Sequence, residues 1–177
     1  MKEHLLEAVK PYGETVMLAY GGGSIKTNGI YQEVMDVLKL AGKQVIEFSG
    51  IMPNPTYSKV MEGKKVVQEN QVDLILAVGG GSVMDCSKAI SMAAATDKDV
   101  WEEYWIKKGE IDFEPVPVGV IVTVVGTGSE VNGEGVITHE EQKIKTSRNY
   151  PRCNPVFAMM DPKYTYTVSP LQTAAGG

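Results

Sequence analysis

LILAVGGGS, at residues 74–82, joins five consecutive aliphatic residues to three glycines and a serine. A strand that is apolar at every position is typical of a parallel sheet buried on both faces. The segment Ser82–Ala95, rich in alanine and methionine, is predicted to be a helix. Glycines let backbone N–H groups approach a phosphate, and a helix N terminus adds free donors and partial positive charge. The stretch therefore predicts a strand, a phosphate-binding turn and a helix, with Ser82 as helix cap or phosphate ligand.

Two further apolar strands run into turns of the same kind. Thr15–Tyr20 leads into Gly21-Gly22-Gly23-Ser24, and Val118–Val122 is followed by Gly126-Thr127-Gly128-Ser129. The carboxyl ends of parallel strands share one edge of a sheet, where ligands bind. A single turn could equally be a tight turn with a serine cap, but three at one edge favour a phosphate-bearing ligand. None of the turns matches the dinucleotide fingerprint GxGxxG or the P-loop GxxxxGK[ST], so an ordinary form of either site is excluded.

Strands alternate with helices along the rest of the chain. The spacing of apolar residues predicts three more helices, at Lys2–Lys10, Tyr31–Leu40 and Tyr57–Asn70. Further strands are predicted at Val45–Phe48 and Val156–Met160, with short strands after Gly133, a surface loop at 107–117 and the start of a helix at Leu171. The prediction is one nucleotide-binding domain, residues 1–177, of the α/β class with a Rossmann-like, doubly wound, mostly parallel sheet.

The composition is that of a folded, acidic protein. Hydrophobic residues make up 43% of the 177 residues, and the formal net charge is −5. Nucleic acid is excluded as the main partner because phosphate neutralisation needs a basic face. Cys86 and Cys153 are too few for a disulfide framework and lack zinc-site spacing, and no signal peptide or membrane-spanning run is present. These features predict a cytoplasmic protein with small-molecule ligands and no membrane partner.

Four other side chains have ordinary explanations. Asp85, three residues after Ser82, has the spacing of a helix cap. Lys26 has the pattern of a solvated surface lysine, and Cys86 that of a small buried residue. His139 is followed by two glutamates, but adjacent carboxylates diverge, so no metal site is expected there. No Ser-His-Asp or Cys-His set can be assembled, and no catalytic residue is assigned.

Five short motifs follow one another along the chain: Gly21–Lys26, Pro53–Pro55, Gly79–Asp85, Gly126–Glu130 and Asp161–Pro162. In this order and spacing they resemble the group III iron-containing alcohol dehydrogenases, especially the NADPH-dependent butanol dehydrogenase branch. The resemblance extends over essentially the whole chain. It implies an N-terminal nucleotide-binding domain that lacks the family's first strand.

The resemblance also implies a set of cofactor contacts. Around the adenosine ribose these are Gly21, Gly22, Gly23, Ser24 and Lys26. At the pyrophosphate they are Gly79, Gly80, Gly81 and Ser82, with Asp85 close by. Near the nicotinamide ribose they are Thr123, Thr127 and Ser129. Lys145 matches a family lysine that contacts the cofactor, and Leu171 is expected to approach it near the cleft between domains.

The activity that the resemblance implies is reversible hydride transfer between NADPH and an aldehyde, which gives a primary alcohol. In the family a metal, iron or zinc, acts as a Lewis acid on the carbonyl oxygen. Its ligands are an aspartate and three histidines that follow on an all-helical second domain. No residue of this sequence matches them. The chain is therefore expected to supply the cofactor-binding half, to end where the metal-binding domain starts and to be inactive alone. A homodimer would fit the family, but the sequence does not determine the oligomeric state.

The residues near the first turn favour one of the two nicotinamide cofactors, and two alternative functions are compatible with the sequence. NAD-specific sites place an acid near the ribose 2′-hydroxyl, and that acid repels a 2′-phosphate. Tyr20-Gly21-Gly22 contains no acid and Lys26 is near, so NADP(H) is predicted over NAD(H). The first alternative is a nucleotide-binding module without catalysis. The second is a zinc-dependent polyol dehydrogenase of the glycerol type, which the Gly21–Lys26 turn disfavours.

Overall fold

A five-stranded parallel sheet forms the centre of the molecule. A computed structural model describes residues 1–165. Within these residues the strands are, in chain order, β1 (Thr15–Tyr20), β2 (Gln44–Phe48), β3 (Leu74–Gly79), β4 (Val118–Val122), β5 (Glu134–His139), β6 (Ile144–Asn149) and β7 (Phe157–Met160). The large sheet has the order β2-β1-β3-β4-β7, and all its pairs are parallel. The predicted Rossmann-like, mostly parallel α/β fold is confirmed.

Helices cover both faces of this sheet. They are α1 (Lys2–Val9), α2 (Ser24–Thr27), α3 (Ile30–Leu40), α4 (Tyr57–Asn70), α5 (Gly81–Ala94) and α6 (Pro162–Thr165). Alternate side chains of a strand point to opposite faces. Met17 and Ile75 accordingly pack with α4 and α5, whereas Leu18 and Leu76 pack with α1 and α3. The two cores explain why β1, β3 and β4 are apolar at nearly every position.

Four short helical segments that the sequence pattern did not predict are present in residues 1–165. They are the four-residue helices α2 and α6, the 3₁₀-helix Pro151–Cys153, and a π-helix, Trp101–Ile106, whose Trp101, Tyr104 and Trp105 are buried. All four are too short for helical periodicity to stand out from the sequence around them. They are held in place by what they pack against rather than by propensity.

The predicted role of Ser82 as a helix cap is wrong. Gly80 is the N-cap of α5, with an extended backbone at φ −95° and ψ −166°. Its carbonyl accepts the backbone N–H groups of Val83 and Met84. Ser82 therefore lies inside the first helical turn, two residues beyond the position at which a side chain caps.

Strands β5 and β6 form an antiparallel hairpin beside the large sheet. The hairpin packs on α5, and the Trp105 indole donates a hydrogen bond of 3.2 Å to the Gly135 carbonyl. Thr138 bridges to Thr56 at the N terminus of α4. The hairpin thus covers α5 and reaches toward the carboxyl edge of the sheet. In residues 1–165 no helix has the length and apolar character needed to cross a membrane.

Candidate nucleotide-binding site

The three glycine turns lie side by side at the carboxyl edge of the sheet. Strand β3 lies between β1 and β4, and Tyr20 is level with Val78 while Gly79 is level with Val122. Because all three strands are parallel, their following turns emerge at the same edge. The edge therefore brings together the residues predicted to contact the ribose groups and the pyrophosphate.

The turn after β3 presents free backbone donors. Among the described residues, nothing accepts a hydrogen bond from the backbone N–H groups of Gly81 and Ser82. They begin a helix of 14 residues, whose N terminus carries a partial positive charge. A Cβ added at Gly81 would lie 2.7 Å from the Thr127 side chain. Glycine at this position therefore lets the β4 turn approach the β3 turn closely, and it leaves an N terminus suited to an anion.

The turn after β1 is more open. A Cβ added at Gly22 or Gly23 would meet no described atom within 4 Å. The turn begins α2, which ends after four residues before Gly29, a glycine with φ +82° that few other residues adopt. The space above Gly22 and Gly23 is thus free for a ligand.

Lys26 is held in a small charged cluster beside this turn. Its Nζ lies 3.5 Å from a carboxylate oxygen of Glu47. The hydroxyls of Tyr20 and Tyr31 donate to that carboxylate at 2.5 and 2.6 Å. These hydrogen bonds, from Tyr20 first and then Tyr31, hold the pKa of the Glu47 carboxyl below its usual range. The solvated Lys26 expected from sequence is therefore half exposed and paired.

Glu47 was missed by the sequence reasoning. It is the penultimate residue of β2, a strand that its valine, isoleucine and phenylalanine identify as apolar. A charged residue near the carboxyl end of such a strand was the available signal. Its partners were not visible, since Tyr20 is 27 residues away in sequence.

The turn after β4 divides into an exposed part and a buried part. Thr123 is half-buried and its backbone N–H donates to the Gly79 carbonyl, which ties this turn to the neighbouring strand. Thr127 is exposed above the N terminus of α5. Ser129 is only 3% exposed. Its hydroxyl donates to Asp85 and accepts from Lys88, so it is occupied within the protein.

Asp85, Lys88 and Ser129 form a buried network behind the turns. The Asp85 carboxylate also accepts the backbone N–H of Val136 in the hairpin. Its predicted role as a helix cap is wrong, because it bonds to the β4 turn and to β5 instead. Burial raises the pKa of Asp85 and lowers the pKa of Lys88, since in both residues desolvation outweighs their mutual attraction.

Lys88 is the most deeply buried cation at this site, with 1% of its side chain exposed. Its Nζ donates to the Ser129 hydroxyl at 2.6 Å, to the Ser129 carbonyl at 3.0 Å and to the Asn132 carbonyl at 3.1 Å. Asp85 lies 3.6 Å away. Lys88 was missed from sequence, although an aspartate and a lysine three residues apart in an alanine-rich helix were a usable signal. It fixes the β4 turn to α5.

Lys145 and Leu171 complete the predicted set. Lys145 is exposed on β6 and donates a hydrogen bond of 2.5 Å to the Asn54 side chain in the loop after β2. It therefore joins the hairpin to the edge that carries the β1 turn. Leu171 lies outside the described residues.

Two hollows flank the sheet at opposite edges. An apolar one of about 180 Å³ adjoins the β4 turn and is lined by Val122, Val125 and Met160 together with Asp161 and Pro162. A larger one of about 420 Å³ lies between the loops that precede β4 and β7, and its lining includes Lys108 and Arg152. Only the first is at the edge where the glycine turns meet, so it is the one relevant to a ligand there.

A model of the iron-containing alcohol dehydrogenase family matches residues 2–162. The chain belongs to this family. It is 43% identical over 174 residues to the probable NADH-dependent butanol dehydrogenase 1 of Bacillus subtilis (strain 168), a match that covers 98% of this chain and 44% of the relative. It is 40% identical over 167 residues to the NADPH-dependent aldehyde reductase YqhD of Escherichia coli (strain K12), covering 94% and 43%.

Solved structures of iron-containing alcohol dehydrogenases share the fold. The crystal structure of NADH-dependent butanol dehydrogenase A from Thermotoga maritima matches with a TM-score of 0.92 and 37% identity, over 99% of this chain and 44% of that one. The chain thus spans less than half the length of these relatives. Their names include both NADH-dependent and NADPH-dependent members, so membership of the family does not decide the cofactor.

The described side chains do not fit the iron that gives the family its name. Within residues 1–165 no group of three or more His, Cys, Asp or Glu side chains lies close enough to hold a metal ion. His139 is half-buried, stacks on Tyr57 at 5.1 Å between ring centroids and lies 4.9 Å from the Trp101 ring. Its Nδ1 accepts the backbone N–H of Gln142 at 3.4 Å. These contacts give His139 a packing role.

Proposed function

We propose that this chain binds NADP(H) and supplies the cofactor-binding half of an enzyme that transfers hydride reversibly between NADPH and an aldehyde. The observation that carries the proposal is the free N terminus of α5, placed between two other glycine turns at one sheet edge. The family and the names of its relatives support an alcohol and aldehyde substrate class. A phosphate-bearing ligand uses all three turns at once, whereas a set of tight turns would not require free donors.

We assign each of the three turns to a different part of the cofactor. We assign the pyrophosphate to Gly79–Ser82, whose free N–H groups and helix dipole favour an anion. We assign the adenosine ribose to the open space above Gly21–Ser24. Thr123 and Thr127 contact the nicotinamide ribose, and Ser129 holds their turn in place through its bonds to the buried network. Lys145 contacts the cofactor from the hairpin side.

NADP(H) is proposed over NAD(H) because Lys26 lies beside the first turn. A lysine can pair with the 2′-phosphate that distinguishes NADPH, and the turn Gly21–Ser24 contains no acid to bind a free 2′-hydroxyl. Glu47, the partner of Lys26, opposes this preference.

The bound nicotinamide supplies the hydride. The protein's own part is to fix its position, because correct placement of reacting groups removes much of the entropic barrier. The apolar hollow beside Val122 and Val125 would exclude water from one side of the ring. The described residues 1–165 contain no group of side chains that could hold a metal ion at this site.

Nucleotide binding tests the first half of the proposal. Titration calorimetry of the 177-residue chain with NADPH is expected to give saturable binding at one site. Adenosine, which lacks phosphates, is the matched control and should bind far more weakly. A chain that binds NADPH no better than adenosine would overturn the assignment of the three turns to a phosphate-bearing ligand.

Turnover tests the second half. We expect this chain alone not to reduce butanal with NADPH, with or without added iron or zinc, because a catalytic metal needs about three or four protein ligands in fixed geometry. Metal-dependent turnover by the purified chain, after exclusion of contaminating dehydrogenases, would contradict this. The competing hypothesis is a nucleotide-binding module without catalysis. The intact mass of the native protein separates the two: near 19.2 kDa supports the module, and roughly double supports the enzyme.

A further inference from the structure

The charged cluster beside the β1 turn contains one cation, Lys26, and one anion, Glu47. Both oxygens of the Glu47 carboxylate accept a tyrosine hydroxyl, at 2.5 Å from Tyr20 and 2.6 Å from Tyr31. Lys26 reaches the same carboxylate at 3.5 Å and lies 4.6 Å from the centroid of the Tyr31 ring. Nothing in the proposed function requires Glu47, and its position is fixed more firmly than that of Lys26.

We propose that Glu47 is a specificity-determining residue that limits the preference for NADPH over NADH, because it competes with the 2′-phosphate for Lys26. This inference rests on the proposed binding of the adenosine ribose above Gly21–Ser24. Glu47 is thereby assigned to cofactor discrimination, and Tyr20 and Tyr31 to holding its carboxylate at the edge of the site.

The geometry explains why Glu47 acts on the phosphate and not on the rest of the cofactor. A phosphate paired with Lys26 would lie about 6 Å from the Glu47 carboxylate, given the hydrogen-bond lengths of charged pairs. A 2′-phosphate is close to a dianion at neutral pH, so it meets repulsion that a 2′-hydroxyl does not. The hydroxyl can instead donate to the carboxylate. Lys26 must also turn from one anion to the other to bind the phosphate.

The change in NADPH affinity caused by Glu47 is limited because solvent screens the charges. The side chains of Lys26 and Glu47 are 48% and 41% exposed, so water and salt screen their charges. Coulomb attraction at this separation in a largely aqueous setting corresponds to about a threefold to tenfold change in affinity. The effect should shrink as salt concentration rises, which a purely steric role of Glu47 would not do.

The test is Glu47→Gln in the 177-residue chain, with binding measured by titration calorimetry. The probes are adenosine 2′,5′-bisphosphate and adenosine 5′-monophosphate, which differ only in the 2′-phosphate, followed by NADPH and NADH. Glutamine keeps an acceptor for the tyrosine hydroxyls. The variant is expected to bind the bisphosphate and NADPH about three to ten times more tightly at low salt, with the monophosphate and NADH changed less than twofold.

Glu103→Gln is the matched control. Glu103 also pairs with a lysine, Lys107, and its side chain is 38% exposed, but it lies on the π-helix. The Glu103→Gln variant should bind all four ligands with the affinities of the unmodified chain. Equal changes for ligands with and without the 2′-phosphate, or no change in either, would overturn the role of Glu47 while the proposed function stands. Failure of the unmodified chain and of Glu47→Gln to bind any of the four ligands would overturn the proposed function and this inference with it.

Discussion

The same four residues, Gly-Gly-Gly-Ser, occur at the carboxyl ends of β1 and β3, but the two turns are built differently. After β1 they open α2, which has four residues, and the charged side chain beside them is half exposed. After β3 they open α5, which has 14 residues and is buried along most of its length. The comparison indicates that the tetrapeptide keeps large side chains away from the turn, whereas the residues after it determine how firmly the turn is held by the rest of the protein.

A buried network supports only one of the turns. Behind the β3 turn, Lys88 is bound to Asp85 and to the β4 turn through Ser129 and Asn132. Behind the β1 turn the contacts are Lys26, Glu47 and two tyrosine hydroxyls near the surface. A braced turn suits the pyrophosphate that every nicotinamide cofactor shares. A less constrained turn suits the part of the cofactor that varies.

The largest expected effect is on stability, and it should separate the two lysines. Lys88→Met leaves the buried Asp85 carboxylate without its cation and the Ser129 carbonyl without the hydrogen bond from Lys88. We expect the free energy of unfolding to fall by about 3–5 kcal/mol. Lys26→Met, at the exposed turn, should leave it almost unchanged. Urea unfolding followed by circular dichroism measures both, and equal midpoints for the two variants would show that the β3 turn is not braced by Lys88.

The next effect is on cofactor affinity at the braced turn. Gly80→Val places a branched side chain where the pyrophosphate is proposed to lie, and its Cβ would be 3.3 Å from that of Val124. We expect NADPH binding to weaken about 100-fold, or about 2.7 kcal/mol. Gly80→Ala adds the Cβ without branches and should lose much less affinity for NADPH. Calorimetry gives the affinities, and thermal unfolding without ligand shows whether the fold is kept. Undiminished NADPH binding by Gly80→Val would mean that the β3 turn does not bind the pyrophosphate.

A smaller effect is expected at the open turn, where it should change selectivity. No described atom would touch a Cβ at Gly22, so Gly22→Asp can be accommodated. The new carboxylate should repel the 2′-phosphate and accept a hydrogen bond from a 2′-hydroxyl. NADPH should bind about tenfold more weakly and NADH should become the preferred cofactor. The measured quantity is the ratio of the two dissociation constants. A ratio equal to that of the unmodified chain would place the adenosine ribose elsewhere.

The smallest effect is a pH dependence of stability that comes from Glu47. Hydrogen bonds from Tyr20 and Tyr31 lower the pKa of this carboxyl in the folded protein. The stability that the ionised Glu47 carboxylate contributes is therefore present above the pKa of an unfolded glutamate, about 4.3. It is lost as pH falls through the lower pKa that the carboxyl has in the folded protein.

Because Glu47 is partly exposed, this contribution should not exceed about 1 kcal/mol. Unfolding midpoints of the unmodified chain and of Glu47→Gln should differ most near neutral pH and converge under acidic conditions. A difference that grows with acidification would have the wrong sign and would contradict the role of the tyrosine hydroxyls.

The parallel sheet and the shared edge of the glycine turns could be predicted from local sequence patterns. Strands that are apolar at every position need burial on both faces, and a parallel sheet between helices provides it. The glycine turns had to follow such strands at one edge, since parallel strands all end on the same side. These are local patterns, readable from neighbouring residues. The motifs at Gly21–Lys26 and Gly79–Asp85 were sufficient to indicate the family.

The side chains that support the turns could not be predicted from local patterns, because they come from segments far apart in the sequence. Ser129 meets Asp85 across 44 residues of sequence and Lys88 across 41, and Tyr20 meets Glu47 across 27. No local periodicity reports such contacts, because they arise where separate elements pack together. Asp85 has the spacing of a helix cap, yet the N-cap of the helix is Gly80, whose backbone is extended. The Asp85 carboxylate instead accepts a hydrogen bond from the hairpin. Burial then determines which charges must be paired, and burial is a property of the assembled fold.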